Sequence, residues 1–386
     1  MSHKANENFF ATKRHWSQRK DEILKCYLTA YLPKILRVGK PVLIVDGFAG
    51  PGRFHDGQAG SPIIIAECVI QTLAKNLQSR QEIGLWCIEK TIGLFNLLEE
   101  NLTPIQFAKA KSGEFGDYAS QISQAAKTQS VFLYVDPFTV EGLDWNQLDQ
   151  IFQGLGTGNS VEVLLNLNSA SFVRRGLSVL KCSLKNMDGD ADSSDPVDQE
   201  IEETPTLEAL NSIAGGVWWR QLILNAGSFP EAVAEFTGQF CVRLKNRFKH
   251  VVYHPIKAMP HHQVAKYYLV FGTRHIDGLT LMNDEMVKSR RVLADMAKPK
   301  EALLFEKRSE ELVPDLERLP SLILARTQIP FPRGDVIDQI IENEFCQFHR
   351  TEIRGCIEEL LKSGKLASET KKTKINDDCK IWVQKK

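Results

Sequence analysis

PVLIVDGFAGPGRF, residues 41–54, opens on a proline followed by an unbroken apolar run, Val42 to Val45. Apolar residues without polar alternation mark a strand covered on both faces, so the run reads as a buried parallel strand. It ends on Asp46, and the small, flexible stretch Phe48-Ala49-Gly50-Pro51-Gly52 follows at once. Glycine suits such a turn because positive φ costs it little and no side chain blocks a ligand. A strand end, a glycine turn and a carboxylate facing the crevice together make the layout of a nucleotide-type site. The spacing Asp46-x-Phe48-x-Gly50-x-Gly52 departs from G-x-G-x-x-G, which argues against NAD.

Downstream, Gly60-Ser61-Pro62 signals a helix running from Ile63 to about Leu77. The intervening excursion, Arg53 to Pro62, is longer than a minimal βα loop and is placed to cover whatever binds at the strand end. A second strand, Ile83 to Ile88, ends on Glu89, a carboxylate suited to accept from both ribose hydroxyls. A helix over Leu94–Leu102 and a weak third strand at Ile105–Lys109 follow. In the next turn, Gly113 to Tyr118, Asp117 is set to meet the base edge of a nucleoside and Tyr118 to stack on it. The fourth strand, Ser130 to Val135, runs into Asp136-Pro137-Phe138, a carboxylate stiffened by proline and followed by an aromatic. That arrangement faces a substrate. A fifth strand, Val161 to Leu167, ends in Asn166-Leu167-Asn168, and the repeated strand-then-helix order predicts a doubly wound α/β sheet.

Upstream, residues 17–36 carry apolar side chains at helical spacing, with Trp16 and Lys20 four apart on one face. Trp16 reads as a packing anchor and Lys20 as a solvated residue, or else Lys20 reaches the site over the sheet top. Residues 186–208 hold nine acidic residues and no basic one. Asp188-x-Asp190-x-Asp192 hints at a calcium loop, but Ser193 and Gln199 replace the required glycine and glutamate, so a flexible acidic insertion is expected. Helical sequence resumes near Val217-Trp218-Trp219 and from Pro230 to Phe248. Val251–Ile256 and Val264–Phe271 then form an antiparallel pair, the ending of a methyltransferase-like sheet. His261 and His262 lie at its turn and His254 in its first arm; with no carboxylate or cysteine at ligand spacing, an exposed turn is expected rather than a metal site. A helix over 276–297 closes a first domain of residues 1–300, and 301–320 reads as a connector. Residues 321–386 form a separate unit, with helices over Val336–Phe345 and Arg350–Ser363 and a hairpin from Gly364 to Val383. Helix, turn, helix and two-stranded wing predict a winged helix. Eight lysines against three acidic residues from Lys362 to Lys386 make the wing a candidate nucleic-acid surface.

Composition bounds the alternatives. Lys+Arg and Asp+Glu are equal at 48 each, so any surface for nucleic acid must be local. No apolar run approaches the roughly 20 residues of a membrane span, and MSHKANENFF lacks a signal-peptide core. The 8 cysteines are scattered without C-x-x-C or metal-ligand spacing, so a cytoplasmic protein with reduced thiols and no structural metal is expected. A kinase or dehydrogenase is poorly supported, because neither G-K-[ST] nor G-x-G-x-x-G is present.

Trp16 with Lys20, VDGFAGPG at 45–52, GSP at 60–62, IEK at 88–90 and YVDPF at 134–138 together resemble the three-Cys-motif partner family. Those are bacterial proteins named for a neighbouring gene, whose product bears three cysteines and resembles radical S-adenosylmethionine enzymes. The first half is also similar to the bacterial large-subunit ribosomal RNA adenine-N6 methyltransferases. The resemblance implies a class I, Rossmann-like methyltransferase fold. It also implies S-adenosylmethionine contacts from Asp46, Phe48, Ala49, Gly50, Gly52, Ser61, Glu89 and Asp117, with Tyr118 beside them. Asp136, Pro137 and Phe138 would face the substrate, and Lys20 would stand over them. The adenine-N6 pattern D-P-P-Y is altered here to Asp136-Pro137-Phe138-Thr139, which bears on whether an adenine amino group is the acceptor. The expected function is methyl transfer to nucleic acid; the alternative is a non-catalytic partner that docks nucleic acid onto the three-cysteine protein.

Overall fold

The computed structural model describes residues 15–75, 82–153, 159–185, 206–257, 263–296, 315–370 and 372–384, with backbone alone at 15–16, 289 and 292–296. Most of the acidic stretch, the His261-His262 turn and most of the expected connector lie outside the described residues. Helix α1 (His15–Leu36) leads into β1 (Val42–Asp46), α2 (Ser61–Lys75), β2 (Ile83–Glu89), α3 (Ile92–Leu102) and β3 (Ala108–Ser112). A 3-10 turn, Phe115–Tyr118, precedes α4 (Ala119–Ala125) and β4 (Ser130–Val135). Another, Val140–Gly142, precedes α5 (Trp145–Gln153), β5 (Val161–Leu167) and α6 (Ser169–Leu180). Then come α7 (Leu207–Ala214), α8 (Trp218–Asn225), α9 (Phe229–Leu244), β6 (His250–Ile256) and β7 (Tyr267–Thr273).

These strands make one seven-stranded sheet of order β3-β2-β1-β4-β5-β7-β6. The first five run parallel, while β7 is antiparallel to both β5 and β6. The result is the Rossmann-like, class I methyltransferase arrangement, in which the edge hairpin finishes a doubly wound sheet. Every residue of β1, β4 and β5 is buried, which is why their sequences carry no alternation. β3 is the half-exposed edge, Ala-Lys-Ala-Lys-Ser, and it lies three residues later than its expected place. Ile105 drew the expectation forward, but it belongs to a turn: its amide donates to Leu102, and the Ala108 amide donates to Ile105.

Helix α1 is fastened to the sheet through a buried carboxyl. Tyr27 donates its hydroxyl to Glu162 on β5, and Thr273 on β7 donates to the other oxygen at 3.2 Å. The Tyr27 ring lies between Phe132 and Phe271, with centroids 5.7 and 5.3 Å away. Burial pushes Glu162 up from 4.5 to about 7, a rise that the two hydroxyl donors hold back.

The chain divides into two compact units, Met1–Arg274 and His275–Lys386. The second contains α10 (Ile276–Met296), a 3-10 turn at Leu316–Arg318, α11 (Leu319–Arg326), β8 (Phe331–Pro332), α12 (Arg333–Asn343), α13 (Arg350–Lys362), β9 (Leu366–Ser368) and β10 (Lys380–Val383). Its strands form a small antiparallel sheet of order β8-β10-β9. Helix α10, expected to close the first domain, packs in the second unit instead. Its buried Asn283 bridges the Phe348 carbonyl and the Cys346 amide, Arg290 donates to the Cys346 carbonyl, and Asp284 accepts from the Arg350 amide. Apolar spacing announces a helix but not which core receives it, and here buried polar groups decide. Helix α11 and strand β8 carry no clear sequence signal: α11 begins inside the proline-bearing connector, and β8 has only two residues.

The Glu162 environment has a pH consequence. The folded state holds this proton more tightly than the unfolded chain, so its stabilisation is complete below about 4.5 and is lost as pH rises through about 7. Glu162→Gln should remove a fall of about 3 kcal/mol across that window, leaving the slope contributed by Asp46. Urea unfolding at a series of pH values checks this; an unchanged slope in the variant would refute it.

Candidate functional site

At the carboxyl edge of the sheet, β1 delivers Asp46 into full burial. Burial pushes its carboxyl from 3.8 to about 7, opposed by the Ser61 hydroxyl and by the Phe48 amide at 3.3 Å from Oδ1. Its Oδ2 is buried without a hydrogen-bond partner among the described residues. After Asp46 the chain is pinned on both sides: the Gly47 amide donates to Tyr134 on β4, and the Ala49 amide to Ile88 on β2. Gly50 and Gly52 have φ of 60° and 81°, the left-handed region where a side chain is strained. The excursion then folds back on itself, for Arg53 bridges Ala59 and the Gly60 amide returns to the Gly52 carbonyl at 2.8 Å. A Cβ at Gly60 would lie 3.0 Å from that carbonyl oxygen, so the close return favours glycine.

Glu89 at the tip of β2 holds this turn. One oxygen accepts from the Gly50 amide at 3.0 Å, the other from the Thr91 amide at 2.7 Å. Each oxygen keeps a lone pair for a further donor. Asp117 acts within its own turn. Its carboxylate accepts from the Glu114 amide at 2.8 Å in the capping box of the 3-10 turn, and the side chain is exposed. Tyr118 donates to the Ser112 carbonyl, and Lys111 sits 5.3 Å from its ring centroid. Phe48 is half-buried with its ring 5.8 Å from Phe115. A Cβ on Gly142 would stand 3.0 Å from both Phe48 and Pro137, so these two side chains share one wall. Phe138 is half-buried just beyond it.

Asp136 is the most heavily bonded group at this edge. Lys20 donates to Oδ1 at 2.9 Å and to Oδ2 at 2.7 Å. Asn166 at the end of β5 donates to Oδ1 at 2.7 Å, and Tyr134 donates to Oδ2 at 3.0 Å. A carboxylate offers about four acceptor positions, so Asp136 is saturated. Lys20 is not solvated: its side chain is 8% exposed, and its ammonium sits 4.7 Å over the Tyr267 ring. Asn166 and Tyr134 join the site without having been expected there. An asparagine at the carboxyl tip of a central strand is the one signal that pointed to Asn166. Asn166 is 2% exposed, and its Oδ1 is buried without a partner among the described residues. The site thus brings together Lys20, Asp46, Gly50, Glu89 and Asp136 from α1, β1, β2 and β4. Its chemistry is that of acceptors waiting for N–H or O–H donors at Asp46 Oδ2, Glu89 and Asn166 Oδ1.

Removing one partner of a largely desolvated ion pair strands the other. Lys20→Met and Asp136→Asn should each destabilise the protein by about 2 kcal/mol. The double variant should cost less than the sum of the two, since neither charge is then left alone. Urea unfolding of the cycle checks this; strict additivity would show that the pair is not coupled.

No family model matches the chain, and no curated protein matches it. Solved structures that it resembles include methyltransferases. The Escherichia coli protein yhhF, described as a methyltransferase, matches at 17% identity over 32% of this chain and 58% of its own, with a TM-score of 0.21. The plantazolicin methyltransferase BamL, solved with a triazolic desmethylPZN analog and SAH, matches at 11% identity over 70% of this chain and 91% of its own, with a TM-score of 0.34. Coclaurine N-methyltransferase, solved with N-methylheliamine and SAH, matches at 11% identity over 75% of this chain and 62% of its own, with a TM-score of 0.28. The chain therefore spans less than two thirds of the length of the first and third of these proteins. The class I methyltransferase fold is assigned by the strand order of the sheet.

Proposed function

We propose that the chain binds S-adenosylmethionine and transfers its methyl group to nucleic acid. The observation that carries this reading is the meeting of Asp46, the Gly50 turn, Glu89 and Asp136 at the carboxyl ends of adjacent strands β1, β2 and β4. The residues fit the cofactor: the left-handed glycines put no side chain between the turn and a ligand, and the unfilled acceptors on Asp46 and Glu89 suit an ammonium and ribose hydroxyls. When bound, S-adenosylmethionine supplies an electrophilic methyl carbon on a sulfonium. The chain has to hold and orient. Glu89 fixes the turn and accepts hydroxyls, Asp46 accepts at its buried oxygen, and Ser61 steadies the Asp46 charge. Ala49 and Gly52 line the turn, Asp117 and Tyr118 bound the nucleoside end, and Phe48 with Pro137 and Phe138 forms the acceptor-side wall. Lys20 and Asp136 neutralise one another beside it. An acceptor that Asp136 is to hold must first displace one of its present donors.

The nucleic-acid part of the proposal is supported by the second unit. Its order, helix α11, strand β8, helices α12 and α13, then the β9–β10 hairpin, supports our winged-helix reading, in which its lysine-rich end supplies phosphate contacts. The free cysteines support a place in the bacterial cytoplasm, and among the described residues no helix is long and apolar enough to cross a membrane. A second reading is favoured by the saturation of Asp136. In it the chain is a non-catalytic member of the three-Cys-motif partner family and docks nucleic acid onto its radical-S-adenosylmethionine-like partner.

Calorimetric titration of S-adenosylmethionine tests the first step. Binding to the wild type is expected. Gly50→Val should abolish it, because a β-branched residue at a φ of 60° displaces the turn. Glu89→Ala should weaken it about tenfold or more by releasing two amides and removing the acceptor. Labelled methyl should then reach total RNA or DNA. Tight cofactor binding without transfer would favour the partner reading, and no binding to folded protein would end both the cofactor and the methyl-transfer proposals.

A further inference from the structure

The nucleic-acid reading leaves open which face of the second unit makes contact. Helix α13 occupies the place of a groove-reading helix, but apart from the exposed Lys362 in its last turn its charges are already engaged or adverse. Arg350 pairs with Asp284 at 3.4 Å, Arg354 with Asp377, and Glu352 with Arg291. What α13 leaves toward solvent includes the exposed Glu359 and the half-exposed Glu358. A helix entering a groove must bring cations to phosphates and donors or acceptors to base edges. Carboxylates beside a phosphate backbone do the opposite.

The small sheet offers a different surface. Side chains alternate across its strands: Leu366, Ser368 and Ile381 are buried on the inner face. The opposite face therefore carries Lys365 and Ala367 from one arm, Lys380 and Trp382 from the other, and Pro332 from β8. Lys365 and Lys380 are exposed, and Trp382 is half-exposed. Trp382 is opposite Ala367 in the register, so the neighbouring strand places only a methyl group beside the indole. Lys380 is opposite Pro332. Glu369 shares the face and is exposed, its carboxylate accepting from the Lys380 amide at 3.2 Å; the lysines of the face and loop outnumber it. Lys372 and Lys374 are exposed in the loop joining the arms. The hairpin is also held rigidly. Asp377 accepts from Arg333 at 2.9 Å and from Arg354, and its carbonyl accepts from the Gly334 amide at 2.8 Å. A Cβ on Gly334 would sit 3.2 Å from Asp377, so glycine permits that approach.

We infer that the outer face of this sheet is a platform for single-stranded nucleic acid, with an unpaired base stacked on Trp382 and phosphates on Lys365, Lys380 and the loop lysines. An aromatic ring stacks on any base and needs no sequence, while flanking lysines track the backbone. A base in a duplex has its faces already covered, so the platform discriminates against duplexes. The inference rests on the nucleic-acid reading above and names the form of its substrate.

Fluorescence anisotropy of the full chain with short labelled RNA and DNA single strands, and with a duplex of the same sequence, tests it at low and moderate salt. The wild type should prefer the single strands, and the RNA and DNA arms identify the source. Trp382→Ala should weaken single-strand binding at least about fivefold with the salt slope kept, and Trp382→Phe should restore most of it. Lys365→Gln with Lys380→Gln should flatten the salt slope. Should Trp382→Ala fail to fold, as circular dichroism would show, the slope of the lysine variant decides. A preference for duplex, or binding indifferent to Trp382 and the lysines, overturns the platform while leaving the nucleic-acid reading standing. No binding of any oligonucleotide by the wild type overturns both.

Discussion

Lys20 and Asp136 face each other across the carboxyl edge of the sheet, and much of the surrounding arrangement follows from the need to keep that pair satisfied in a poorly hydrated place. An ammonium that is 8% exposed must have a counter-charge close by. The counter-charge in turn gathers Tyr134 from its own strand and Asn166 from the next. Helix α1, β4 and β5 are thereby held together at the carboxyl edge of the sheet, just as Tyr27, Glu162 and Thr273 hold α1 to β5 and β7. The helix is fixed to the sheet by polar pins set in an aromatic layer, and each pin uses a carboxyl group that the sheet itself presents.

The carboxyl groups at this sheet differ because their neighbours differ. Asp46 and Glu162 meet only neutral donors and are pushed up to about 7 by burial. Asp136 meets an ammonium, and Glu89 meets two backbone amides. Four acids carried by the sheet thus differ in their partners: two meet neutral donors in full burial, and two anchor an ammonium or a turn. That division gives the edge its chemical asymmetry: acceptor capacity remains at Asp46 and Glu89, while Asp136 is closed until a donor leaves.

A comparable logic governs the second unit. The turn between α12 and α13 carries Cys346 at a φ of 65°, a conformation unfavourable for a residue with a side chain. Asn283 and Arg290 of α10 satisfy its amide and carbonyl, so a helix that looks like a surplus amphipath in the sequence is the brace for that turn. Asp377 performs the matching service for the hairpin, joining it to Arg333 and Arg354.

Much of this was legible in the residues. An unbroken Val42–Val45 run, glycines where φ must be positive, and carboxylates at successive strand tips are local signals, because burial on two faces and left-handed backbone each restrict which residues can stand there. From them the sequence by itself determined the doubly wound sheet, its closing hairpin and the edge at which Asp46, Glu89 and Asp136 assemble. It could not place β3, whose edge position needs no apolar run, or assign α10 to its unit, since amphipathic spacing is the same whichever core receives it. Nor could it show that Lys20, 116 residues away, closes Asp136, or that the arginines of α13 are already paired. Local propensity depends on neighbours in the chain, whereas the state of a charge depends on neighbours in space. Those neighbours exist only once the tertiary structure has brought them together.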